Sequence, residues 1–233
     1  MNEKVSNLDV IILCGGKGER LRPITESIPK PMVEIKGQPI LSYILAYLQS
    51  EGIKKIHTAT GYKHQIVHDY VDNYVTPMTV KTVFSGNADI IKRIKDAGES
   101  ISGDFLVLYG DTISDVNVNE LIKFHGEAGL KATMTVWPMR SQFGLVEFDE
   151  NGKVHSFLEK PILDKYMNIG YFYFNHEILK IMDDYDDWEV FLYEMVRMGI
   201  LAAFKHEGLH ITVNTVEELS LAEKNIVNIP RGE

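Results

Sequence analysis

Residues 8–23 read LDVIILCGGKGERLRP, an apolar run that passes directly into a glycine-rich, cationic loop. The run from Leu8 to Leu13 is rich in β-branched residues, which is typical of a strand buried on both faces of a sheet. The glycines that follow let the backbone approach a ligand closely, so that successive N–H groups can hold phosphate oxygens. We therefore predict a buried first strand with an anion-binding loop at its carboxyl end.

Downstream of this loop, helical and strand patterns alternate along the chain. The patterns predict strands at Lys55–Ala59, Val80–Phe84, Phe105–Leu108 and Ala132–Val136, and helices at Pro39–Glu51, His64–Tyr74, Ile90–Ala97 and Asn117–Ala128. This alternation predicts an α/β fold, a doubly wound, mostly parallel (Rossmann-like) sheet with helices on both faces. Ligands of such sheets bind at the carboxyl ends of the strands, where the loop after Leu13 and the turn at Asp111 both lie.

From Gly144 onward the pattern changes to short strands. Two apolar segments flank Asn151-Gly152, which is a strong signal for a hairpin. The segments predicted in this part are strands at Leu145–Phe148, Val154–Leu158, Ile169–Phe174 and Leu201–Phe204, and helices at Trp188–Met198 and Val216–Asn225. Since no Pro/Ser-rich linker interrupts the chain, we expect a small β-rich insertion on a single domain that spans residues 1–233.

Composition excludes several classes of protein. The net charge of −9 argues against a general nucleic-acid binder, which needs a basic face. A single cysteine, Cys14, excludes an internal disulfide framework and fits a reducing cytoplasm. No apolar run approaches the length of a membrane span, and the polar N-terminus does not read as a signal peptide. We therefore expect a cytoplasmic protein with neither a membrane nor a nucleic acid as its partner.

A positive patch lies within this acidic chain, between Lys17 and Lys30. It holds four cations against two acids. Arg20 supplies a charged fork suited to phosphate, and two prolines fix the backbone on either side of Lys30. The loop is neither a Walker loop nor the dinucleotide fingerprint, because the glycine spacing fits neither. A tight strand-to-helix turn with no ligand is the alternative for this segment.

Two further motifs carry charged residues in places where chemistry is expected. Asp111 follows a buried strand and Gly110, where a carboxylate can hold Mg²⁺ together with phosphate oxygens. Glu159 and Lys160 precede Pro161, so that the carboxylate could accept bonds from hydroxyl groups while the ammonium binds a phosphate. Taken alone, Asp111 could equally be a turn residue, and Glu159 with Lys160 an exposed ion pair of little energy.

In this order the motifs resemble those of the sugar-phosphate nucleotidyltransferase family. The order is Gly-Gly-x-Gly-x-Arg-Leu, Pro-Lys-Pro-Met, Gly-Asp and Glu-Lys-Pro, and the resemblance runs from about Asp9 to Glu223. It includes segments that are most similar to those of the glucose-1-phosphate cytidylyltransferases, such as residues 30–35 and 157–161. The resemblance implies a nucleotidyltransferase fold and a Mg²⁺-dependent reaction of a nucleoside triphosphate, with CTP favoured, and a sugar 1-phosphate.

The resemblance also implies roles for individual residues. Arg20 and Lys30 would hold the triphosphate, Asp111 would bind Mg²⁺, and Lys160 would hold the acceptor phosphate. The nucleotide-binding set is Leu13, Gly15, Gly16, Gly18, Glu19, Arg20, Lys30, Gly86 and Gly110. The acceptor-binding set is Glu159, Lys160, Asn168 and Gly170. Residues 1–135 would thus form the nucleotide-binding part and residues 136–233 the acceptor-binding part.

Two departures from the family pattern leave alternatives open. Only one glycine, Gly86, stands in the stretch expected to contact the base, and Asn214 stands where the family usually has an aspartate as a second metal ligand. Asn214 could still ligate the metal, or it could only cap the helix that follows. The alternatives are a cytidylyltransferase for a non-sugar acceptor, such as phosphocholine or glycerol phosphate, and a catalytically silent module that binds nucleotide sugars. The sequence leaves open whether the chain forms homo-oligomers.

Overall fold

The structure, a computed structural model, describes residues 3–226. The strands are β1 (Asp9–Cys14), β2 (Glu34–Ile35), β3 (Gln38–Pro39), β4 (Lys55–Thr60), β5 (Thr79–Phe84), β6 (Phe105–Tyr109), β7 (Thr112–Ser114), β8 (Ala132–Arg140), β9 (Leu145–Phe148), β10 (Val154–Leu158), β11 (Ile162–Phe174), β12 (Leu201–Lys205) and β13 (His210–Thr212). The helices are α1 (Glu3–Ser6), α2 (Ile40–Glu51), α3 (His64–Asn73), α4 (Ile90–Gly98), α5 (Val118–Ala128), α6 (Ile178–Met182), α7 (Trp188–Arg197) and α8 (Val216–Asn225).

The central sheet has seven strands in the order β12-β8-β11-β6-β1-β4-β5. Every neighbouring pair in it is parallel except the two pairs that include β11, which runs antiparallel to both β6 and β8. The mostly parallel α/β sheet that the sequence predicts is therefore confirmed. The strand order reverses beside β1, because β4 and β5 extend the sheet on one side of it and β6 on the other.

Both faces of this sheet are covered by apolar packing. Val10 and Ile12 of β1 point to one face, where α2 and α5 supply most of the buried helical side chains. Ile11 points to the opposite face, which is covered by α4, α6 and α7. The continuous apolar run in β1 is explained by this burial on both sides, as expected of a central parallel strand.

The β-rich insertion consists of a separate two-stranded sheet, β9 and β10, and of the first half of β11. The Asn151-Gly152 turn joins β9 to β10 as predicted, with Gly152 at a φ of 81°. The predicted strand at Ile169–Phe174 is too short, because β11 begins at Ile162 and pairs with an extension of β8 that reaches Arg140. This half of β11 is largely exposed, so its side chains lack the apolar alternation by which the sequence would have revealed it.

Candidate active site

The reversal of strand order beside β1 opens a crevice where β1 and β6 end. A cavity of about 200 Å³ lies there, lined by Leu13, Cys14, Gly16, Lys30, Pro31, Ile90, Arg93, Tyr109, Gly110 and Asp111. The two sheet positions that the sequence indicated, the loop after Leu13 and the turn at Asp111, thus face one another. Gly110 is required for this approach, because a Cβ at that position would lie 2.7 Å from the carbonyl oxygen of Leu13.

The glycine-rich loop borders this crevice, with Gly16 in the cavity lining. Gly16 and Lys17 are exposed, and Gly18 has a φ of 62°, in the left-handed region that glycine tolerates. Within residues 3–226, no backbone or side-chain acceptor receives the amide protons of these three residues. Successive free amides of this kind form an anion-binding concavity, so the loop can hold phosphate oxygens.

Beside the loop, cationic groups converge on one carboxylate and one amide. The Lys30 ammonium group donates to a carboxylate oxygen of Asp111 and, at 2.7 Å, to Oδ1 of Asn214. The same Oδ1 accepts a second hydrogen bond, at 2.9 Å, from Nη2 of Arg20. Four side chains from three distant parts of the sequence therefore meet here. Their arrangement offers positive charge to an anion and oxygen ligands to a cation.

Asn214 does not cap α8. That role belongs to Thr215, whose hydroxyl accepts a hydrogen bond of 3.1 Å from the amide of Glu218. The Glu218 carboxylate reaches back to the amide of Asn214 at 2.6 Å. The capping alternative for Asn214 is therefore wrong, and its side chain is directed at Arg20 and Lys30 instead.

The oxygen ligands of Asp111 and Asn214 suit a hard cation only when a bound substrate supplies further ligands. Among the described residues, no group of three or more His, Cys, Asp or Glu side chains could hold a metal ion. Asp111 and Asn214 offer one carboxylate and one amide oxygen, both within hydrogen-bonding reach of the Lys30 ammonium group. Mg²⁺ usually takes one or two carboxylates and completes its shell with substrate phosphates and water. The two residues fit that pattern.

Two of the residues predicted to bind the acceptor, Asn168 and Gly170, lie beside Tyr109, which lines the cavity. Gly170 has a φ of 77°, and a Cβ on it would lie 2.3 Å from Cδ2 of Tyr109. Oδ1 of Asn168 accepts a hydrogen bond of 2.8 Å from the Gly170 amide, and the Tyr109 hydroxyl accepts one of 2.8 Å from Nε1 of Trp188. Asn168, Gly170 and Tyr109 therefore form one packed unit at the edge of the crevice.

Glu159 and Lys160, the other two residues predicted to bind the acceptor, form fewer interactions than Asn168 and Gly170. Both are exposed in the connection between β10 and β11, and Lys160 has a φ of 46°. Neither forms a hydrogen bond or ion pair with another residue in the range 3–226. Their charges are thus available to a ligand. The structure does not bring them into contact with Lys30 or Asp111.

The other predicted nucleotide-binding residues are divided between the cavity and its border. Leu13, Gly16, Lys30 and Gly110 line the cavity itself, as does the predicted metal ligand Asp111. The rest of the predicted nucleotide-binding set lies outside the lining, namely Gly15, Gly18, Glu19, Arg20 and Gly86. Glu19 is exposed and pairs with Arg22 at 3.5 Å. Gly86 has a φ of 64° and open space where a Cβ would stand.

Sequence reasoning missed Arg93, which lies on α4 and lines the cavity. Its Nη2 donates to the carbonyl oxygen of Gly15 at 2.9 Å, and burial lowers the pKa of its guanidinium. The available signal was its position on the apolar face of a strongly amphipathic helix, among Ile90, Ile91 and Ile94.

Cys14 is also buried in the wall of this cavity. Burial raises the pKa of its thiol, so the thiol is neutral and serves packing.

Among residues 3–226 no helix is both long enough and apolar enough to cross a membrane. A model of the family described as nucleotidyl transferase matches residues 9–206. The chain is 33% identical to glucose-1-phosphate cytidylyltransferase of Salmonella typhi over 239 aligned residues, which cover 91% of this chain and 93% of that protein.

Two further comparisons extend this similarity. The chain is 33% identical over 179 residues to the catalytic subunit beta of mannose-1-phosphate guanylyltransferase of Drosophila melanogaster, an alignment that covers 72% of this chain and 48% of that protein. The solved structure of HddC from Yersinia pseudotuberculosis, complexed with GMP-PN, superposes with a TM-score of 0.74. That superposition covers 94% of this chain and 99% of the other at 24% identity, and it bears on the fold alone.

Proposed function

This chain belongs to the nucleotidyl transferase family, as a sugar-phosphate nucleotidyltransferase, and we propose that it joins CTP to a sugar 1-phosphate and releases pyrophosphate. The observation that carries the proposal is the convergence of Arg20, Lys30, Asp111 and Asn214 beside a loop of free amides. Such a site stabilises a triphosphate and the pyrophosphate that leaves it.

The proposed reaction is a direct displacement. An oxygen of the acceptor phosphate attacks the α-phosphorus of the triphosphate, the bond from the α-phosphorus to the bridging oxygen breaks, and pyrophosphate departs with that oxygen. No side chain has to act as a nucleophile, and the neutral, buried Cys14 thiol is unsuited to that role. Positioning of the two phosphates and neutralisation of their charge carry the catalysis.

Lys30 and Arg20 have the central part in this proposal. In the described structure Lys30 donates to the Asp111 carboxylate, and both cations donate to the neutral amide oxygen of Asn214. Phosphate oxygens of the nucleotide would take the place of the Asn214 oxygen and, being charged, receive stronger hydrogen bonds. As pyrophosphate leaves, the two cations stabilise the negative charge that develops on it.

Asp111 and Asn214 would hold Mg²⁺ together with the nucleotide. The metal supplies charge neutralisation at the phosphates and a template that orients them. With a single carboxylate, the protein alone offers few ligands, so phosphate oxygens have to complete the metal's shell. We therefore propose that Asp111 and Asn214 would bind Mg²⁺ as its complex with the triphosphate.

The acceptor-binding part, within residues 136–233, would supply the second substrate's contacts. Lys160 would bind the acceptor phosphate, and Glu159 and Asn168 would accept hydrogen bonds from its hydroxyl groups. The exposure of Glu159 and Lys160, and their lack of partners among the described residues, support this role. Gly170 would contribute by allowing the close packing of Tyr109 at the edge of the crevice.

The choice of CTP rests on the relative that matches over nearly its full length, glucose-1-phosphate cytidylyltransferase. Other relatives are named as guanylyltransferases and uridylyltransferases and align over a smaller share of the chain. The same full-length similarity supports a sugar 1-phosphate, with glucose 1-phosphate first in order, over a non-sugar acceptor.

One experiment tests the base, the acceptor and the activity together. Pyrophosphate release is measured for CTP, UTP, GTP and dTTP against glucose 1-phosphate, mannose 1-phosphate, phosphocholine and glycerol 3-phosphate. We expect the highest kcat/KM for CTP with a sugar 1-phosphate, and no release after chelation of Mg²⁺. A tenfold preference for another base would contradict CTP, and no release in any pair would support a silent binding module.

A further inference from the structure

The guanidinium of Arg93 is a buried cation on the apolar face of α4. The residue is only 9% exposed, and its Nε is buried with no hydrogen-bond partner in the described part of the chain. Removal of a charge from water costs free energy, and an unpaired buried donor adds to that cost. An apolar side chain of similar size would suit this helix face better. A functional reason for the arginine is therefore expected.

The surrounding backbone is shaped to receive this guanidinium. A Cβ on Gly15 would lie 2.4 Å from Nε of Arg93, so a larger residue there would displace the guanidinium from its present position. A Cβ on Gly61 would lie 3.2 Å from Nη2 of Arg93 and 2.6 Å from the carbonyl oxygen of Gly86. Three segments, which follow β1, β4 and β5, thus lack side chains where they approach Arg93 or one another.

Arg93 fixes the orientation of one peptide group in the phosphate-binding loop. The carbonyl oxygen of Gly15 accepts hydrogen bonds from Nη2 of Arg93 at 2.9 Å and from the Tyr62 amide at 3.2 Å. A peptide group is planar and trans, so its C=O and the following N–H point in opposite directions. With the Gly15 carbonyl directed at Arg93, the Gly16 N–H is directed away from it.

The Gly16 N–H is free to bind a ligand. Gly16 lines the cavity, is exposed, and has no hydrogen-bond acceptor for its amide among residues 3–226. Glycine on both sides of this peptide gives it little resistance to rotation by itself. The two hydrogen bonds on the Gly15 carbonyl are what prevent this rotation.

We propose that Arg93 is a positioning residue for nucleotide binding, which orients the Gly15–Gly16 peptide so that the Gly16 N–H meets a phosphate oxygen of the triphosphate. The inference rests on the proposed function and adds to it a residue on α4 that acts through the loop. Loss of Arg93 leaves the Gly15 carbonyl with the Tyr62 amide alone, and the peptide then has to be ordered when the nucleotide binds. That ordering weakens nucleotide affinity and leaves the acceptor site unchanged.

The test compares three variants. Arg93→Met replaces the buried cation by an apolar chain, Arg93→Lys keeps a donor for the Gly15 carbonyl, and Lys92→Met is the control on the solvent side of the same helix. CTP binding in the presence of Mg²⁺ is measured by calorimetry, KM is measured for both substrates, and the free energy of unfolding is measured in urea. All three measurements are made on the full chain.

We expect Arg93→Met to weaken CTP binding by roughly tenfold to hundredfold, the effect of one hydrogen bond to a charged group. Its acceptor KM is expected to equal that of wild type. Its free energy of unfolding is expected to stay at or above the wild-type value, since apolar replacement of a buried charge is often neutral or stabilising. Arg93→Lys is expected to fall between Arg93→Met and wild type, and Lys92→Met to equal wild type.

The inference would be overturned if Arg93→Met bound CTP as tightly as wild type does. It would also be overturned if the loss of CTP affinity were only proportional to a loss in the free energy of unfolding. A direct readout is the ¹⁵N–¹H resonance of Gly16, which we expect to shift on addition of CTP in wild type and much less in Arg93→Met. A wild-type protein that binds none of CTP, UTP, GTP and dTTP would contradict the proposed function itself. If wild type binds CTP and Arg93→Met binds it with the same affinity, only the role of Arg93 is contradicted.

Discussion

At the scale of single residues, the charged and polar side chains at the crevice form hydrogen bonds with one another. Lys30 is mostly buried, and its ammonium group is shared between the Asp111 carboxylate and the Asn214 amide oxygen. This pairing keeps a buried cation from being isolated, which would otherwise cost several kcal/mol. It also holds the ammonium group where a phosphate can displace its partners. Under the proposed function, the same contacts would both stabilise the fold and prepare the site.

If Asn214 faces the proposed metal site, Asn214→Asp adds a formal negative charge there and is expected to tighten Mg²⁺ binding. The added carboxylate is a stronger ligand than the amide oxygen it replaces. We expect wild type alone to bind Mg²⁺ poorly and to bind it well with CTP, and Asn214→Asp to bind it measurably in both conditions. Calorimetric titration of Mg²⁺, with and without CTP, measures this.

Asn151→Asp adds the same charge in the exposed turn of the hairpin and serves as the control for Asn214→Asp. Its Mg²⁺ affinity is expected to equal that of wild type. Equal affinity of Asn214→Asp and wild type in both conditions would remove Asn214 from the metal site.

Lys160→Met removes the charge proposed to hold the acceptor phosphate. We expect the KM for the sugar 1-phosphate to rise about tenfold to hundredfold, because a hydrogen bond to a charged group contributes roughly 1.5–3 kcal/mol. The KM for the nucleotide is expected to stay within about twofold of wild type. Steady-state kinetics with each substrate varied in turn measure both values.

Lys165→Met is the matched control, since Lys165 is an exposed lysine on β11, five positions after Lys160 in the sequence. It should leave both KM values unchanged. If Lys160→Met behaved in the same way, Lys160 would have no part in acceptor binding.

At the scale of elements, β11 joins the central sheet to the insertion. Its second half pairs with β6 and β8 in the core, and its first half pairs with the exposed end of β8. An irregularity in the pairing lies between Asn168 and Phe172, and Gly170 stands within it. The positive φ of Gly170 lets the strand change course beside Tyr109, a residue that lines the cavity.

Gly170→Ala is expected to lower the free energy of unfolding by at least about 2 kcal/mol. The added Cβ meets Cδ2 of Tyr109 at 2.3 Å and also strains a backbone with a φ of 77°. Gly199→Ala isolates the second effect, because Gly199 has a φ of 67° with no atom within 4 Å of a Cβ. It should cost only about 1 kcal/mol.

Urea unfolding followed by tryptophan fluorescence measures both variants. The difference between them reports the contact with Tyr109, whose hydroxyl accepts the hydrogen bond from Trp188. Equal losses for Gly170→Ala and Gly199→Ala would mean that Tyr109 moves aside freely, and the packed unit at the edge of the crevice would then be loose.

At the scale of the whole molecule, the single cysteine reports on the opening of the crevice. Cys14 is fully buried at the end of β1, and burial raises the pKa of its thiol, so little reactive thiolate exists near pH 8. Alkylation with iodoacetamide should therefore require the protein to open. A ligand that binds only the closed state at one hundred times its Kd stabilises that state by about 2.7 kcal/mol.

We therefore expect Mg²⁺ with saturating CTP to slow the alkylation of Cys14 by about a hundredfold under these conditions. The rate in urea without ligand gives the reactivity of the accessible thiol, and mass spectrometry follows the modification. Fast alkylation that CTP does not change would show that Cys14 is reached without opening of the nucleotide site.

The sequence by itself determined the sheet and the place of the site. The unbroken apolar run in β1 requires burial on both faces, and strands that alternate with helices require parallel pairing, so the crevice at the carboxyl ends follows from local pattern alone. The glycines and charged residues beside the crevice can be recognised in the sequence because their chemistry is unusual in a turn. The hairpin at Asn151-Gly152 is equally local, since the turn residues fix it.

Only the tertiary structure decided which side chains meet. That Asn214 faces Arg20 and Lys30, while Thr215 caps α8, depends on how the chain returns to the crevice some two hundred residues later. The contact between Arg93 and the Gly15 carbonyl depends on the packing of α4 against β1 and β4. A helical pattern in the sequence shows which face of the helix is buried, but it does not show what lies opposite that face. The first half of β11 likewise exists through its pairing with β8, since hydrogen bonds to a neighbouring strand can hold a segment whose own pattern predicts nothing.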